Sequence, residues 1–298
     1  MQTESGVPTS AAICRFQAAD GSPSIGWFDG KLVHDLSASG AAWARSISAL
    51  LAAEQPITTL TRDLPASLPK HDPRALTLLA PIDDQEVWAA GVTYERSREA
   101  REQESEHAAD MYARVYSATR PEIFFKADAR RTAGPDGAIR VRPDSRWSVP
   151  EPELALVLSP SLRIAAFTIG NDVSARDIEG ENPLYLPQAK VYDGACALGP
   201  WLVPSELVTN PYDLQITCQI IRGGTPIWQD STTTAKLHRK FDELVTYLGK
   251  SNTFPSGAFL LTGTCLVPPD SLTLQGKDEV TISIASLGTL TNTVAENA

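Results

Sequence analysis

The stretch 148–200 restricts this chain more than any other. It opens with Glu151-Pro152-Glu153 and runs directly into the apolar segment 154–158. Residues two apart on a strand share a face, so Glu151 and Glu153 are expected side by side at the mouth of a buried strand. Two carboxylates held that close repel, and one takes up a proton unless both share a cation. A second apolar run, 164–169, ends at Gly170-Asn171-Asp172, where a third carboxylate would close the set. Three carboxylate ligands with open positions suit a hard cation such as Mg2+ or Mn2+. Two blander readings fit the same residues. Glu151 and Glu153 would be an exposed pair with Pro152 marking a sheet edge, and Asp172 would cap a helix starting at Val173-Ser174-Ala175-Arg176.

Further along come the polar loop Glu179-Gly180-Glu181-Asn182-Pro183, then Lys190, then Val191-Tyr192-Asp193-Gly194. A lysine beside aromatic residues at an acidic metal site is a proton acceptor when burial lowers its pKa. Away from such a site it is an ordinary surface cation.

The rest of the chain reads as many short strands. Runs 11–17, 25–28 and 31–35 form a small meander around Asp20-Gly21 and Asp29-Gly30. Trp43, Ile47, Leu50 and Leu51 have helical spacing, which predicts a helix over 43–54. The proline- and charge-rich stretch 64–73 reads as a linker, giving a small N-terminal domain over 1–75 and a larger one over 76–298. In the larger part, 87–92, 124–126, 139–142, 214–221, 225–228, 258–261 and 280–284 read as strands, the last of these closing the fold. A helix is predicted over 237–248, and a charged, solvated helix over 95–116 with the potential to cover a site. Few helices among many strands argue a β-rich α+β fold. A net charge of -10 argues against nucleic acid or an anionic membrane as partner. Cys14, Cys196, Cys218 and Cys265 are widely spaced, which suggests buried free thiols in a reducing, cytoplasmic setting.

The central stretch resembles the fumarylacetoacetate hydrolase superfamily. The matching elements are Glu151-Pro152-Glu153, the run from Phe167 through Asn171-Asp172-Val173-Ser174-Ala175-Arg176-Asp177, then Lys190 and Leu198-Gly199-Pro200. The run 178–190, together with Gly91-Val92-Thr93-Tyr94-Glu95-Arg96-Ser97 and Arg120-Pro121-Glu122-Ile123-Phe124-Phe125-Lys126, is similar to its 2-keto-3-deoxy-pentonate dehydratases. The resemblance implies a mixed β-sandwich roll behind a small β-containing domain, assembled as a dimer or a dimer of dimers. It implies a divalent ion held by Glu151, Glu153 and Asp172, gripping a small 2-keto acid. Lys190 is then a candidate for proton transfer or enolate stabilisation, Glu179 for protons at the leaving hydroxyl, and Arg176 for the substrate carboxylate, with a structural pair to Asp177 or Asp172 as the alternative for Arg176. Thr264, Tyr94 and Lys126 are candidates for substrate contact, with a strand-end turn as the alternative for Thr264 and packing roles for the other two.

One departure separates branches of the superfamily. Its carbon–carbon hydrolases carry a histidine and a glutamate three residues apart after Gly-x-Asn-Tyr; here those positions hold Ser97 and Ala100. Without that pair to activate water, dehydration is the expected reaction. A hydrolase or decarboxylase of acylpyruvates or other diketo acids is the alternative, and a non-catalytic binding module the third possibility.

Overall fold

The computed structural model describes residues 6–95 and 114–296. In chain order the principal elements are β1 (Ala12–Gln17), β2 (Pro23–Phe28), β3 (Val33–Asp35), α1 (Ile47–Ala52), β4 (Glu86–Gly91), β5 (Glu122–Asp128), β6 (Pro152–Leu158) and β7 (Ile164–Asp172). There follow α2 (Arg176–Glu181), α3 (Leu186–Lys190), β8 (Cys196–Pro204), β9 (Gln215–Arg222), β10 (Thr225–Thr233), α4 (Phe241–Leu248), β11 (Ala258–Leu261), β12 (Glu279–Ile284) and β13 (Gly288–Val294).

β6 and β7 lie in the middle of the larger sheet, whose main path runs β3-β2-β1-β8-β7-β6-β11-β4-β5. Every residue of β6 is buried, as expected of a strand covered on both faces. Alternation divides its side chains between two cores. Leu154, Leu156 and Leu158 join one apolar cluster with Ile216, Ile220, Val280, Ile282 and Leu290 of the second sheet. Ala155 and Val157 face the other, made with Ile13 and Ile25 of the meander and Ile47, Leu50 and Leu51 of α1. The second sheet, ordered β10-β9-β12-β13 with the short strand Ala138–Ile139 at its edge, completes a sandwich. The β-rich fold is therefore the one expected.

Several boundaries differ from the sequence reading, each for a visible reason. The helix expected over 43–54 is only α1, because the Ser46 side chain accepts from Ala49 N–H and caps it there, while Trp43 sits in the preceding turn Ala42–Ala44. Part of the expected linker is a strand, since Lys70–His71 pairs with Val33 and His34. Strand pairing also crosses the proposed domain boundary: β1 bonds β2 along one edge, and its other edge is shared by Leu78–Leu79 and by Trp201 and Leu202 of β8. The strand expected over 139–142 reduces to Ala138–Ile139. α4 begins at Phe241 rather than at Leu237, because Leu237 bridges to Tyr94 and His238 N–H donates to the Thr93 carbonyl. The chain does not finish its strands at residue 284, as β13 pairs antiparallel with β12. Most of the charged run 95–116 lies outside the described residues, with His107, Ser97 and Ala100. The four cysteines are free and buried, and among the described residues no helix is long and apolar enough to cross a membrane.

β11 is launched by a turn that only glycine fits. Gly257 has φ +79, and a Cβ there would stand 2.3 Å from the Leu158 carbonyl oxygen. Replacing Gly257 by alanine is expected to destabilise the protein by about 1–3 kcal/mol, measured as a lowered Tm; an unchanged Tm would show the turn to be tolerant.

Candidate metal centre

The acidic cluster is a product of strand register. β6 and β7 pair antiparallel with Pro152 opposite Asn171 and Glu153 opposite Gly170, which places Asp172 across from Glu151. The Asp172 N–H donates to the Glu151 carbonyl at 3.0 Å, extending the ladder by one rung. Directly opposed residues share a face at close range, and Glu153 follows two residues on along that face. One oxygen from each of Glu151, Glu153 and Asp172 lies within 4.8 Å of the others. All three side chains are buried, at 3 %, 1 % and 2 % exposure. Neither blander reading holds: the glutamates are not a surface pair, and Asp172 ends a strand rather than capping a helix.

Three buried cations surround the trio, each from a different element. Lys190, at the end of α3, donates to Glu151 Oε2 at 2.9 Å, Asp172 Oδ2 at 3.1 Å and Ser174 Oγ at 2.5 Å. Arg176, the first residue of α2, donates from Nη2 and Nε to Glu151 Oε1 at 2.9 and 3.2 Å. Lys126 of β5 gives its hydrogens to the carbonyls of Val173 and Lys190, and its Nζ lies 2.5 Å from Asp172 Oδ1. That last approach is an ion pair out of line for a hydrogen bond, so Asp172 Oδ1 has no aligned donor. Glu153 is different again. Its contact is the Gly263 N–H, 2.5 Å from Oε2. Burial, with Asp172 and Glu151 close by, pushes its carboxyl well above the usual carboxylate range.

The trio opens onto a small pocket lined also by Gly91, Val92, Glu122, Phe124, Glu179, Lys190 and Thr264. A larger hollow around Arg130, Arg131 and Arg140 is away from these carboxylates. Of the residues singled out in the sequence, Glu179, Lys190 and Thr264 line the pocket with the trio. Arg176 does not; it is 1 % exposed and holds Glu151 in place of the substrate carboxylate expected for it. Lys126 is fully buried behind Asp172. Tyr94 packs in the apolar core, with its hydroxyl unpartnered.

Glu122 was missed as a site residue, although the signal was present. Glu122 and Phe124 are two apart on β5, ahead of the irregularity at Lys126, and share a face; both line the pocket. Ser174, a hydrogen-bond partner of Lys190, was missed as well; it lies two residues past Asp172.

Hard oxygen donors, one protonatable carboxyl and an Asp172 oxygen without an aligned donor make a set that fits a divalent cation such as Mg2+.

Residues 86–295 match the model of the fumarylacetoacetate (FAA) hydrolase C-terminal family. The chain belongs to the fumarylacetoacetate hydrolase family. Within it, the chain is 53% identical over 214 residues to a protein of Haloferax volcanii named "Probable 2-keto-3-deoxyxylonate dehydratase", covering 72% of this chain and 73% of that one. It is 47% identical over 218 residues to the 2-dehydro-3-deoxy-D-arabinonate dehydratase of Saccharolobus solfataricus, covering 72% and 73%. Among solved structures of this family, a 2-keto-3-deoxy-D-arabinonate dehydratase complexed with magnesium and 2,5-dioxopentanoate superposes with a TM-score of 0.83 at 35% identity, over 96% of this chain and 99% of that one.

The raised pKa of Glu153 predicts proton-linked binding of a cation. A carboxyl that is protonated in the cation-free protein must release its proton to become a ligand, so apparent Mg2+ affinity should rise with pH. Titration calorimetry in buffers of different ionisation enthalpy would read the proton released. Glu153→Gln keeps the shape but not the charge and should weaken Mg2+ binding by about tenfold or more; wild-type affinity would remove Glu153 from the ligand set.

Proposed function

We propose that this chain dehydrates 2-keto-3-deoxy-D-pentonates, of the arabinonate or xylonate type, to 2,5-dioxopentanoate with a divalent cation at Glu151, Glu153 and Asp172. The observation that carries the reading is the pocket itself, in which a buried carboxylate trio is accompanied by two further carboxylates, Glu122 and Glu179, and by Lys190. The 53% and 47% identities to dehydratases named for these sugar acids support it.

Bound at the trio, the cation would draw electron density from the carboxylate and keto oxygens of the substrate and so acidify its C3 hydrogens. The chain's own groups then have separate tasks. A proton leaves C3 and the C4–O bond breaks, the oxygen departing as water. A C5 proton is then lost and C3 regains one, leaving an enol across C4 and C5; C4 then takes a proton as the C5 hydroxyl gives one up, and the aldehyde forms at C5. Glu122 and Glu179 are assigned to carry these protons, with Glu179 at the leaving hydroxyl. Lys190, held between Glu151, Asp172 and Ser174, is assigned to stabilise the charge that develops as C3 loses its proton. Thr264, which lines the pocket, is assigned to substrate contact. Arg176 and Lys126 act one layer back, fixing Glu151 and Asp172. A homo-oligomer, either a dimer or a dimer of dimers, and a cytoplasmic location consistent with four free thiols belong to the same proposal.

Incubation with a 2-keto-3-deoxy-pentonate and Mg2+ should give a product that an aldehyde dehydrogenase oxidises to 2-oxoglutarate. Pyruvate release from an acylpyruvate at a comparable rate would favour the hydrolase alternative instead. Chelation should abolish turnover, and Glu179→Gln should lower kcat by about 10²–10⁴-fold; full activity in that variant would exclude Glu179 from proton transfer.

A further inference from the structure

The wall between β4 and β11 holds a contact that bears on Glu153. Past the end of β4, Val92 has φ +52, a left-handed backbone that a β-branched residue rarely adopts. Thr93 follows, fully buried, and is gripped at both ends. Its carbonyl accepts from His238 N–H at 2.9 Å, and its hydroxyl donates to the Thr262 carbonyl at 2.7 Å. Gly263 has φ +91, and Thr93 Oγ1 stands 2.0 Å from where a Cβ on that glycine would be. The hydroxyl thus occupies the space the glycine leaves. On the opposite side, Thr262 is tied to the Leu154 carbonyl through its N–H at 3.1 Å and its own hydroxyl at 2.8 Å.

The Thr262 carbonyl and the Gly263 N–H belong to one planar peptide group. Thr93 binds one end of that group, and Glu153 Oε2 accepts from the other. A donor on the carbonyl fixes the plane and further polarises the N–H. We infer that Thr93 is a positioning residue for the cation site: its hydroxyl orients the 262–263 peptide so that Gly263 N–H holds Glu153 in the rotamer that faces Glu151 and Asp172. The inference rests on the cation reading proposed above.

The experiment compares Thr93→Val, which keeps the shape without the hydroxyl, with Thr93→Ser, which keeps the hydroxyl. Titration with Mg2+ and hydrogen exchange of the Gly263 amide in the cation-free protein are the two readouts. Thr93→Val should weaken Mg2+ binding by about tenfold and speed Gly263 exchange by about fivefold, and Thr93→Ser should restore both. Should Thr93→Val not fold, Thr93→Cys, with its weaker donor, takes its place and should show the same losses in smaller degree. Wild-type Mg2+ affinity and Gly263 exchange in the valine variant, even with a lowered Tm, would overturn the inference. If the wild-type protein binds no Mg2+, the cation reading fails separately, and Gly263 exchange alone decides the role of Thr93.

Discussion

The antiparallel register between β6 and β7 is the constraint on which the site depends. It sets Asp172 opposite Glu151 and leaves Glu153 two residues along the same face, gathering three carboxylates where water is excluded. Each buried ion costs several kcal/mol unless its partners are well placed. The structure meets that cost with Lys190, Arg176 and Lys126, buried at 2 %, 1 % and 0 % exposure. These cations come from α3, α2 and β5, so the charge balance of the trio also ties three separate elements to the central strands. A one-residue slip between β6 and β7 would turn Asp172 to the other face and take it away from Lys190 and Lys126.

The compensation is uneven, and the unevenness gives the trio its chemistry. Glu151 is held by a guanidinium and an ammonium, and Asp172 is flanked by two ammonium groups. Glu153 has a backbone N–H in place of a cation. Burial, with Asp172 and Glu151 beside it, holds its carboxyl well above the usual carboxylate range. Around this fixed base the pocket walls come from β4, β5 and β11, and they bring Glu122, Thr264 and the backbone of Gly91 and Val92 to the opening.

The local signals in the sequence were enough for the strands of the core, because short apolar runs bounded by glycine and proline turns are too short for the usual helix and favour strands. They were weaker at element ends, where competition from distant residues decides. Leu237 and His238 pattern as helix but are drawn off by Tyr94 and Thr93, and Lys70–His71 looks like linker until β3 supplies a partner. β13, with alternating burial along Gly288–Val294, follows a break that hid its pairing with β12.

By itself the sequence determined that a pair of glutamates shares one face of a buried strand, that an aspartate closes a second, and that the hydrolase dyad is absent, since these are matters of residue identity and period. Only the tertiary structure decided which cation attends which carboxylate. Arg176, assigned from the chain to a substrate carboxylate, lies 25 positions from Glu151 and binds it; Lys126, 46 positions from Asp172, reaches it through the order of strands in the sheet. Side-chain pairing over such separations is set by register and packing, and neither is written into any local stretch of chain.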